Sequence, residues 1–250
     1  MARPHHLAAA AAVAGLASAA AAPTLGAQAR PAAAVAGGGR APSEAQLLRG
    51  RALVLNHGCG DCHGGSPDPA SEGFLAGYRP DAVPSLEFRI GPCADRPDAQ
   101  PCFRTRPRNL TPDNATGTGR FTERQLFNAL RYGLRPGETP DVEITGTTPG
   151  QGNFPAHPKY LAPPMPWPAF RHMADQELRD IAAYLKHAVA PVRNRVPDSE
   201  GPPDFWASAY TVALIGPYPA APFPTAREQR PTLARAVRGT GDRSAPPPRR

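Results

Sequence analysis

The chain has 250 residues, including 34 prolines and 24 glycines, and hydrophobic residues make up 40% of it. This hydrophobic share is below that of a typical globular protein, so we predict one modest core with long irregular loops. The formal net charge is +7, of which residues 226–250 contribute +5 and Arg3 contributes +1. Residues 30–225 are therefore nearly neutral, which argues against a nucleic-acid-binding protein.

The first 29 residues have the pattern of a cleavable export signal. Arg3 lies in a short polar start, an alanine-rich apolar run follows, and residues 27–29 read Ala-Gln-Ala, which suits cleavage. The apolar run is shorter than the roughly 20 strongly apolar residues that span a bilayer. We therefore expect a periplasmic protein cleaved near Ala29, with a flexible linker over residues 30–42 and no transmembrane segment in the mature chain.

The first predicted helix begins after Ser43, which can cap it, and leads directly into Cys-Gly-Asp-Cys-His at residues 59–63. Gly50 lies inside this helix, where it can permit the close approach of another helix. Three chemistries use such a motif: a zinc site, a dithiol redox site and covalent attachment of haem. Zinc would need a further ligand, and no second cysteine or histidine pair has suitable spacing. A thioredoxin-like dithiol would follow a strand, whereas here a helix precedes the motif.

Attachment of haem uses all three side chains of the motif. In c-type haem proteins two cysteine thiols add to the vinyl groups of the haem, and the histidine that follows ligates the iron. Cys59 and Cys62 are therefore predicted to hold one haem covalently, with His63 as the proximal iron ligand. Export agrees with this prediction, because c-type haem is attached on the outer side of the membrane.

The long loop after the motif contains the other two cysteines, Cys93 and Cys102. In an exported protein, an even and closely spaced pair is typical of a disulfide, whereas free thiols are not favoured in an oxidising compartment. A second haem site is excluded, because the spacing differs and no histidine follows Cys102. The arginines at 104, 106 and 108 can pair with haem propionates or form a solvated basic loop, and the sequence leaves both alternatives open.

Two further helices are predicted, and no alternating strand pair or repeat of fixed period is found. The earlier helix starts with a capping box formed by Thr122 and Gln125, and Gly133 can end it. The last helix places apolar residues at i, i+3, i+4 and i+7 from Leu178 to Leu185, which gives an amphipathic stripe.

Met165 lies between two prolines in the loop before the last helix. The rigidity of proline can hold a thioether towards an iron with little loss of entropy, so Met165 is the predicted distal ligand. Methionine often fills a core instead, and Met173, at the start of the last helix, is predicted to do so. Four histidines are further candidates, which we interpret as surface or supporting residues: His57, His157, His172 and His187.

Residues 109–137 and 165–187, together with the Cys-x-x-Cys-His motif, resemble the class I cytochrome c family. More narrowly, they resemble the haem subunits of bacterial membrane-associated dehydrogenases for alcohols, aldehydes and sugar acids. The resemblance implies an all-α, class I cytochrome c-like helical fold around one covalently bound haem, with long proline-rich loops, over residues 43–197. It also implies that Met165 is the axial ligand and that residues 109–113 pack along the haem.

The chain departs from this family pattern in two respects. Such subunits often carry three Cys-x-x-Cys-His motifs, whereas this chain has one, and Met165 follows His63 by 102 positions, more than in a minimal cytochrome. Beyond the cytochrome domain we predict an irregular extension over residues 198–225. Residues 226–250 are predicted to be a disordered basic tail because of their proline-rich, charged composition.

The sequence thus predicts a periplasmic carrier of single electrons with no catalytic residues, in which His63 and Met165 ligate the iron of one haem c. Methionine ligation raises the reduction potential relative to two histidines. The expected partners are a dehydrogenase and a downstream oxidase or cytochrome, with the chain acting as a free carrier or as a subunit of the dehydrogenase complex. The alternative is a haem enzyme or gas sensor whose sixth ligand is absent or displaceable.

Overall fold

The computed structural model describes residues 41–64, 66–81 and 86–216. The α-helices and strands of this part, in chain order, are α1 Glu44–Asn56, α2 Cys59–His63, β1 Phe88–Ile90, β2 Phe103–Thr105, α3 Glu123–Tyr132, α4 Trp167–Phe170, α5 Asp175–His187 and α6 Val212–Ile215. None of these helices is long and apolar enough to cross a membrane. The predicted export signal, most of the linker and the predicted basic tail lie outside the described residues, as does the end of the predicted extension.

Helices α1 and α5 cross at Gly50. A Cβ atom at this position would overlap the backbone carbonyl of Asp180 and lie 2.7 Å from Cβ of Tyr184. The predicted role of Gly50 in the close approach of another helix is therefore confirmed. At the same crossing the Arg49 guanidinium donates to the buried carboxylate of Asp180, with Nε 2.7 Å from Oδ2.

The main core lies where α1, α3 and α5 meet. We call its buried residues the first hydrophobic cluster: Val54, Phe74, Leu75, Leu126, Leu178, Ile181, Ala182, Tyr184 and Leu185. The four residues of the predicted amphipathic stripe all lie on α5 and belong to this cluster, so the stripe is confirmed. Met173 packs against the cluster from outside, which confirms its predicted role as a packing residue. Burial of each large apolar side chain contributes about 1.5–3 kcal/mol to stability.

The ends of α1 and α3 are formed by the predicted capping groups. Ser43 Oγ accepts a hydrogen bond from the amide of Gln46 at 3.2 Å. In the capping box, Thr122 Oγ1 accepts from the amide of Gln125 and Gln125 Oε1 accepts from the amide of Thr122, both at 3.1 Å. These bonds satisfy amide groups that have no partner inside the helix, which fixes where each helix begins.

Gly133 ends α3 and brings α4 against it. Its φ of 69° lies in the left-handed region that favours glycine. A Cβ atom here would overlap the indole ring of Trp167, the first residue of α4. A backbone bridge between Leu134 and Tyr160 continues this contact. The loop that contains Met165 is therefore attached to the end of α3.

A β-hairpin lies in the long loop between α2 and α3. Strands β1 and β2 pair antiparallel, with Phe88 opposite Thr105 and Ile90 opposite Phe103. The sequence predicted no strand pair, and this prediction is wrong for the loop. Each strand has only three residues, which is too short to show the alternation of apolar and polar residues that identifies a strand.

The predicted disulfide between Cys93 and Cys102 is present, and it lies at this hairpin, whose strands the sequence did not predict. The two Cα atoms are 5.3 Å apart, and Cys93 is fully buried. Cys93 lies in a short 3-10 helix, Pro92–Ala94, just after β1, and Cys102 immediately precedes β2. The covalent link therefore joins the two ends of the hairpin loop.

The disulfide can be tested by peptide mapping of the protein purified without reductant. We expect one cross-linked peptide pair, about 2 Da lighter than the two free-thiol peptides because oxidation removes two hydrogens. A Cys93→Ser, Cys102→Ser double variant should lose on the order of 2–3 kcal/mol of stability, because a short closed loop is released. Alkylation of either thiol in the untreated protein would contradict the assignment.

Candidate haem-binding site

The Cys-x-x-Cys-His motif forms the short helix α2. Residues at positions i, i+3 and i+4 lie on one face of an α-helix, so the motif places Cys59, Cys62 and His63 on one face. Cys59 is half-buried against the first hydrophobic cluster, and Cys62 is exposed. Neither cysteine is in a disulfide, so both thiols are available for thioether bonds on the same side as the imidazole.

The imidazole of His63 is oriented by a backbone group 45 positions later in the chain. Its Nδ1 atom lies 2.7 Å from the carbonyl oxygen of Arg108. A carbonyl oxygen only accepts hydrogen bonds, so Nδ1 must carry the proton and Nε2 keeps its lone pair. This is the arrangement of a metal-ligating histidine, in which the second ring nitrogen donates to a protein group. Burial lowers the pKa of His63, which favours the neutral imidazole that binds a metal.

The acceptor for His63 is held by a network around Asn109, which is buried. The side-chain oxygen of Asn109 accepts from the amide of Thr111 at 2.9 Å and from its hydroxyl at 2.7 Å. The Asn109 amide group donates to the carbonyl of Val192 at 2.8 Å. The backbone next to Arg108 is therefore fixed. The resemblance implied that residues 109–113 pack along the haem, but it did not reveal that Asn109 holds the acceptor for His63 in place. The available signal was the Asn-x-Thr pattern, which is typical of a turn closed by the Asn side chain.

The cysteines of α2 do not have the electrostatics of a redox dithiol. Burial raises the pKa of Cys59 to about 11, with smaller contributions from Cys62 and Asp61. Partial desolvation raises the pKa of Cys62, although its side chain is largely exposed, and Asp61 adds to the shift. A catalytic dithiol needs a lowered pKa, because the thiolate is the nucleophile. The site therefore argues against the thioredoxin-like alternative.

No group of three or more His, Cys, Asp or Glu side chains is arranged around a common metal position within residues 41–64, 66–81 and 86–216. A structural zinc ion takes four protein ligands, and a catalytic one takes three. A haem iron needs only its two axial ligands from the protein. The donor set of α2 therefore suits a haem: two thiols and one oriented imidazole.

Met165 lies in the loop between Tyr160 and α4. Its amide donates to the carbonyl of Ala162 and its carbonyl accepts from the amide of Trp167, both at 2.9 Å. The side chain is half-buried and belongs to neither hydrophobic cluster of the described residues, the second of which comprises Leu134, Ile144, Phe154, Tyr160 and Trp167. Its ligation of the iron stays a prediction.

The loop of Met165 and the haem motif are brought to the same end of α1. Phe170, at the end of α4, packs edge-on against His57, with ring centroids 5.4 Å apart. His57 directly follows α1, and its Nδ1 atom lies 2.8 Å from the carbonyl oxygen of Leu53. His57 is therefore a supporting residue. Each of the four histidines considered as alternative ligands is exposed: His57, His157, His172 and His187.

The arginines after the disulfide have protein partners. Arg104 and Arg106 both pair with Glu200, at 3.0 and 3.1 Å, and Arg106 also pairs with Glu87 at 2.6 Å. Arg108 donates to the hydroxyl of Ser199 at 2.9 Å. Glu87, Ser199 and Glu200 thus already engage the three arginine side chains. These contacts favour neither pairing with haem propionates nor a solvated basic loop, the two roles that the sequence left open.

No protein-family model matches this chain. Over 208 residues, or 80% of the chain, it is 29% identical to the gluconate 2-dehydrogenase cytochrome c subunit of Pantoea cypripedii, of which it covers 37%. Over 96 residues it is 31% identical to the cytochrome c subunit of alcohol dehydrogenase (quinone) of Gluconacetobacter polyoxogenes, covering 38% of this chain and 16% of the relative.

A third relative is the fructose dehydrogenase cytochrome subunit of Gluconobacter japonicus, 25% identical over 156 residues, which is 62% of this chain and 24% of the relative. The chain thus spans well under half the length of each of these relatives. The predicted resemblance is confirmed: the chain is similar to part of the cytochrome c subunits of bacterial dehydrogenases.

Proposed function

We propose that this chain is a periplasmic c-type cytochrome that carries single electrons on one haem c. Cys59 and Cys62 would hold the haem through thioether bonds, and His63 and Met165 would ligate its iron. The observation that carries the proposal is the hydrogen bond from His63 Nδ1 to the carbonyl of Arg108, which leaves Nε2 free for the iron. The cytochrome subunits among the relatives support the electron-transfer role.

In this proposal the haem supplies the redox chemistry, with iron cycling between the ferrous and ferric states. The protein holds the imidazole of His63 neutral and in a fixed orientation. The Met165 thioether is a soft ligand that favours the ferrous state and so raises the reduction potential. The apolar cluster against which Cys59 packs keeps water from that side of the site, which also favours the less charged ferrous form.

The fold and the partners are parts of the same proposal. A class I cytochrome c-like fold is supported by the haem motif directly after α1 and by the crossing of α1 with α5. We propose a dehydrogenase as electron donor and an oxidase or another cytochrome as acceptor, on the basis of the relatives' names. We propose no reaction of a substrate at this chain, because the role of the chain is to accept and release electrons.

Covalent attachment of the haem is the direct test. When the chain is exported in cells that mature c-type cytochromes, the protein band on a denaturing gel should keep its haem-dependent peroxidase stain. A Cys59→Ala, Cys62→Ala double variant should lose the stain, because no thiol remains to form a thioether. The matched control is the Cys93→Ser, Cys102→Ser variant, which also lacks two cysteines and should keep the stain.

Haem that acidified organic solvent extracts from the unmutated protein would contradict covalent attachment. The purified protein should also titrate with a single one-electron midpoint when its absorption spectrum is followed against the applied potential. Two separate midpoints would contradict the single-haem proposal, since the described motif provides one attachment site.

A further inference from the structure

A stretch that we call the closing strap, residues 196–216, begins on the segment that supports His63. The guanidinium of Arg108, whose carbonyl accepts from His63, donates to the carbonyl of Pro197 at 3.0 Å and to the hydroxyl of Ser199 at 2.9 Å. The strap is therefore bonded directly to the residue that orients the proximal ligand.

The closing strap then crosses the disulfide-linked hairpin. Glu200 forms two backbone hydrogen bonds with Arg104 of β2, of 2.8 and 2.9 Å. The ring of Trp206 packs on Phe103 of the same strand, with centroids 4.8 Å apart. Farther along, Asp204 accepts hydrogen bonds from two residues that flank the bridge between Leu134 and Tyr160, namely Arg135 and Lys159. These contacts fix the path of the strap towards the loop of Met165.

The end of the strap reaches the two aromatic residues that flank Met165. Tyr160 and Trp167 stand five positions before and two positions after the methionine. Their rings stack with centroids 5.5 Å apart and planes 6° from parallel. Tyr210 of the strap packs edge-on against both rings, with centroid distances of 5.2 Å to Tyr160 and 4.9 Å to Trp167.

We propose that Tyr210 is a positioning residue for Met165. Its ring closes the stack of Tyr160 on Trp167, and this stack joins the two sides of the loop that carries the methionine. Because stacked and edge-to-face rings attract each other beyond the area that they bury, Tyr210 disfavours loop conformations in which the thioether turns away from the iron. The inference rests on the proposed function, since it requires Met165 to be the distal ligand.

The test is the rate at which carbon monoxide binds to the ferrous holoprotein. Carbon monoxide binds only when the thioether has left the iron, so the rate reports the population of open loops. Tyr210→Leu should raise this rate about ten-fold, because it removes both ring contacts. It should also weaken the ferric absorption band of Met–iron ligation. Tyr210→Phe keeps both ring contacts and should therefore stay much closer to the unmutated rate than Tyr210→Leu does.

The matched control is Phe205→Leu, which removes another ring from the same strap. Phe205 packs on Trp206, with centroids 5.2 Å apart, and has no ring contact with Tyr160 or Trp167 among those the structure describes. This variant should leave the carbon monoxide rate unchanged. A general loosening of the strap would instead raise the rate in both variants, which would overturn the specific role of Tyr210.

Met165→Ala provides the rate for a fully open iron. If the unmutated protein has a Met–iron band that Met165→Ala abolishes, while Tyr210→Leu keeps the unmutated rate and band, only the role of Tyr210 is overturned. If the unmutated protein has no Met–iron band, the assignment of Met165 fails, and the role of Tyr210 is overturned with it. Should Tyr210→Leu not be recovered as holoprotein, Tyr210→Ile, which also lacks the ring and adds no group that could ligate the iron, takes its place with the same expected rate.

Discussion

Met165→Ala is expected to open the sixth coordination position of the iron. The ferric protein should lose its Met–iron absorption band, and the ferrous protein should bind carbon monoxide rapidly. The reduction potential should fall, because the proposed thioether ligand, which would stabilise the ferrous state, is removed. A decrease on the order of 0.1 V is reasonable within the roughly 0.8 V range that axial ligands produce. Spectroelectrochemical titration of the purified protein measures this change.

Met173→Ala is the matched control for this experiment. Met173 packs on the first hydrophobic cluster, so its truncation should lower stability and leave the spectrum and the potential unchanged. Equal spectra for Met165→Ala and the unmutated protein would mean that another residue ligates the iron. Rapid binding of carbon monoxide and turnover of peroxide by the unmutated protein would favour the haem enzyme or gas sensor instead of the electron carrier.

Gly50→Ala is expected to lower the free energy of unfolding by about 2 kcal/mol. Alanine improves the helix propensity of α1 by about 1 kcal/mol, but its methyl group would overlap the backbone carbonyl of Asp180. Overpacking of this kind costs about 1–3 kcal/mol or more, and the upper end applies because a backbone group in a buried helix cannot turn away. Guanidinium unfolding of the holoprotein, followed by far-ultraviolet circular dichroism, measures the change.

Gly137→Ala controls for the general effect of replacing glycine by alanine. A Cβ atom at Gly137 would have the ring of Phe121 as its nearest neighbour, at 3.8 Å, which is an ordinary contact. The unfolding free energy of this variant should stay within about 0.5 kcal/mol of the unmutated protein. If Gly50→Ala were as stable as Gly137→Ala, the close crossing of α1 and α5 would not depend on glycine.

The features that the sequence predicted are those with local causes. The starts of α1 and α3 were predictable because Ser43, Thr122 and Gln125 cap amide groups three positions away. The candidate haem motif could also be identified from local sequence, since Cys59, Cys62 and His63 are almost contiguous, and its binding of haem stays a prediction. The disulfide was predictable from the spacing of Cys93 and Cys102, which are separated by nine positions, together with the predicted export.

The features that the sequence could not predict depend on distant contacts. The acceptor for His63 is the backbone carbonyl of Arg108, and a backbone group leaves no mark in the sequence. The pairing of Arg104 and Arg106 with Glu200 joins residues more than 90 positions apart, so charge alone did not identify the partners. The hairpin strands are too short for a periodic pattern. The disulfide links the two ends of their loop, and Glu200, 96 positions after Arg104, forms a backbone bridge with β2.

The contact between Arg49 and Asp180 has a consequence for the rate of folding. These residues are 131 positions apart, so docking of α1 on α5 requires the closure of a very long loop. Contacts of such large sequence separation slow the folding of a domain. Helix α1 leads directly into residues 59–63, so the segment proposed to receive the haem lies within the loop that this contact closes, between positions 49 and 180.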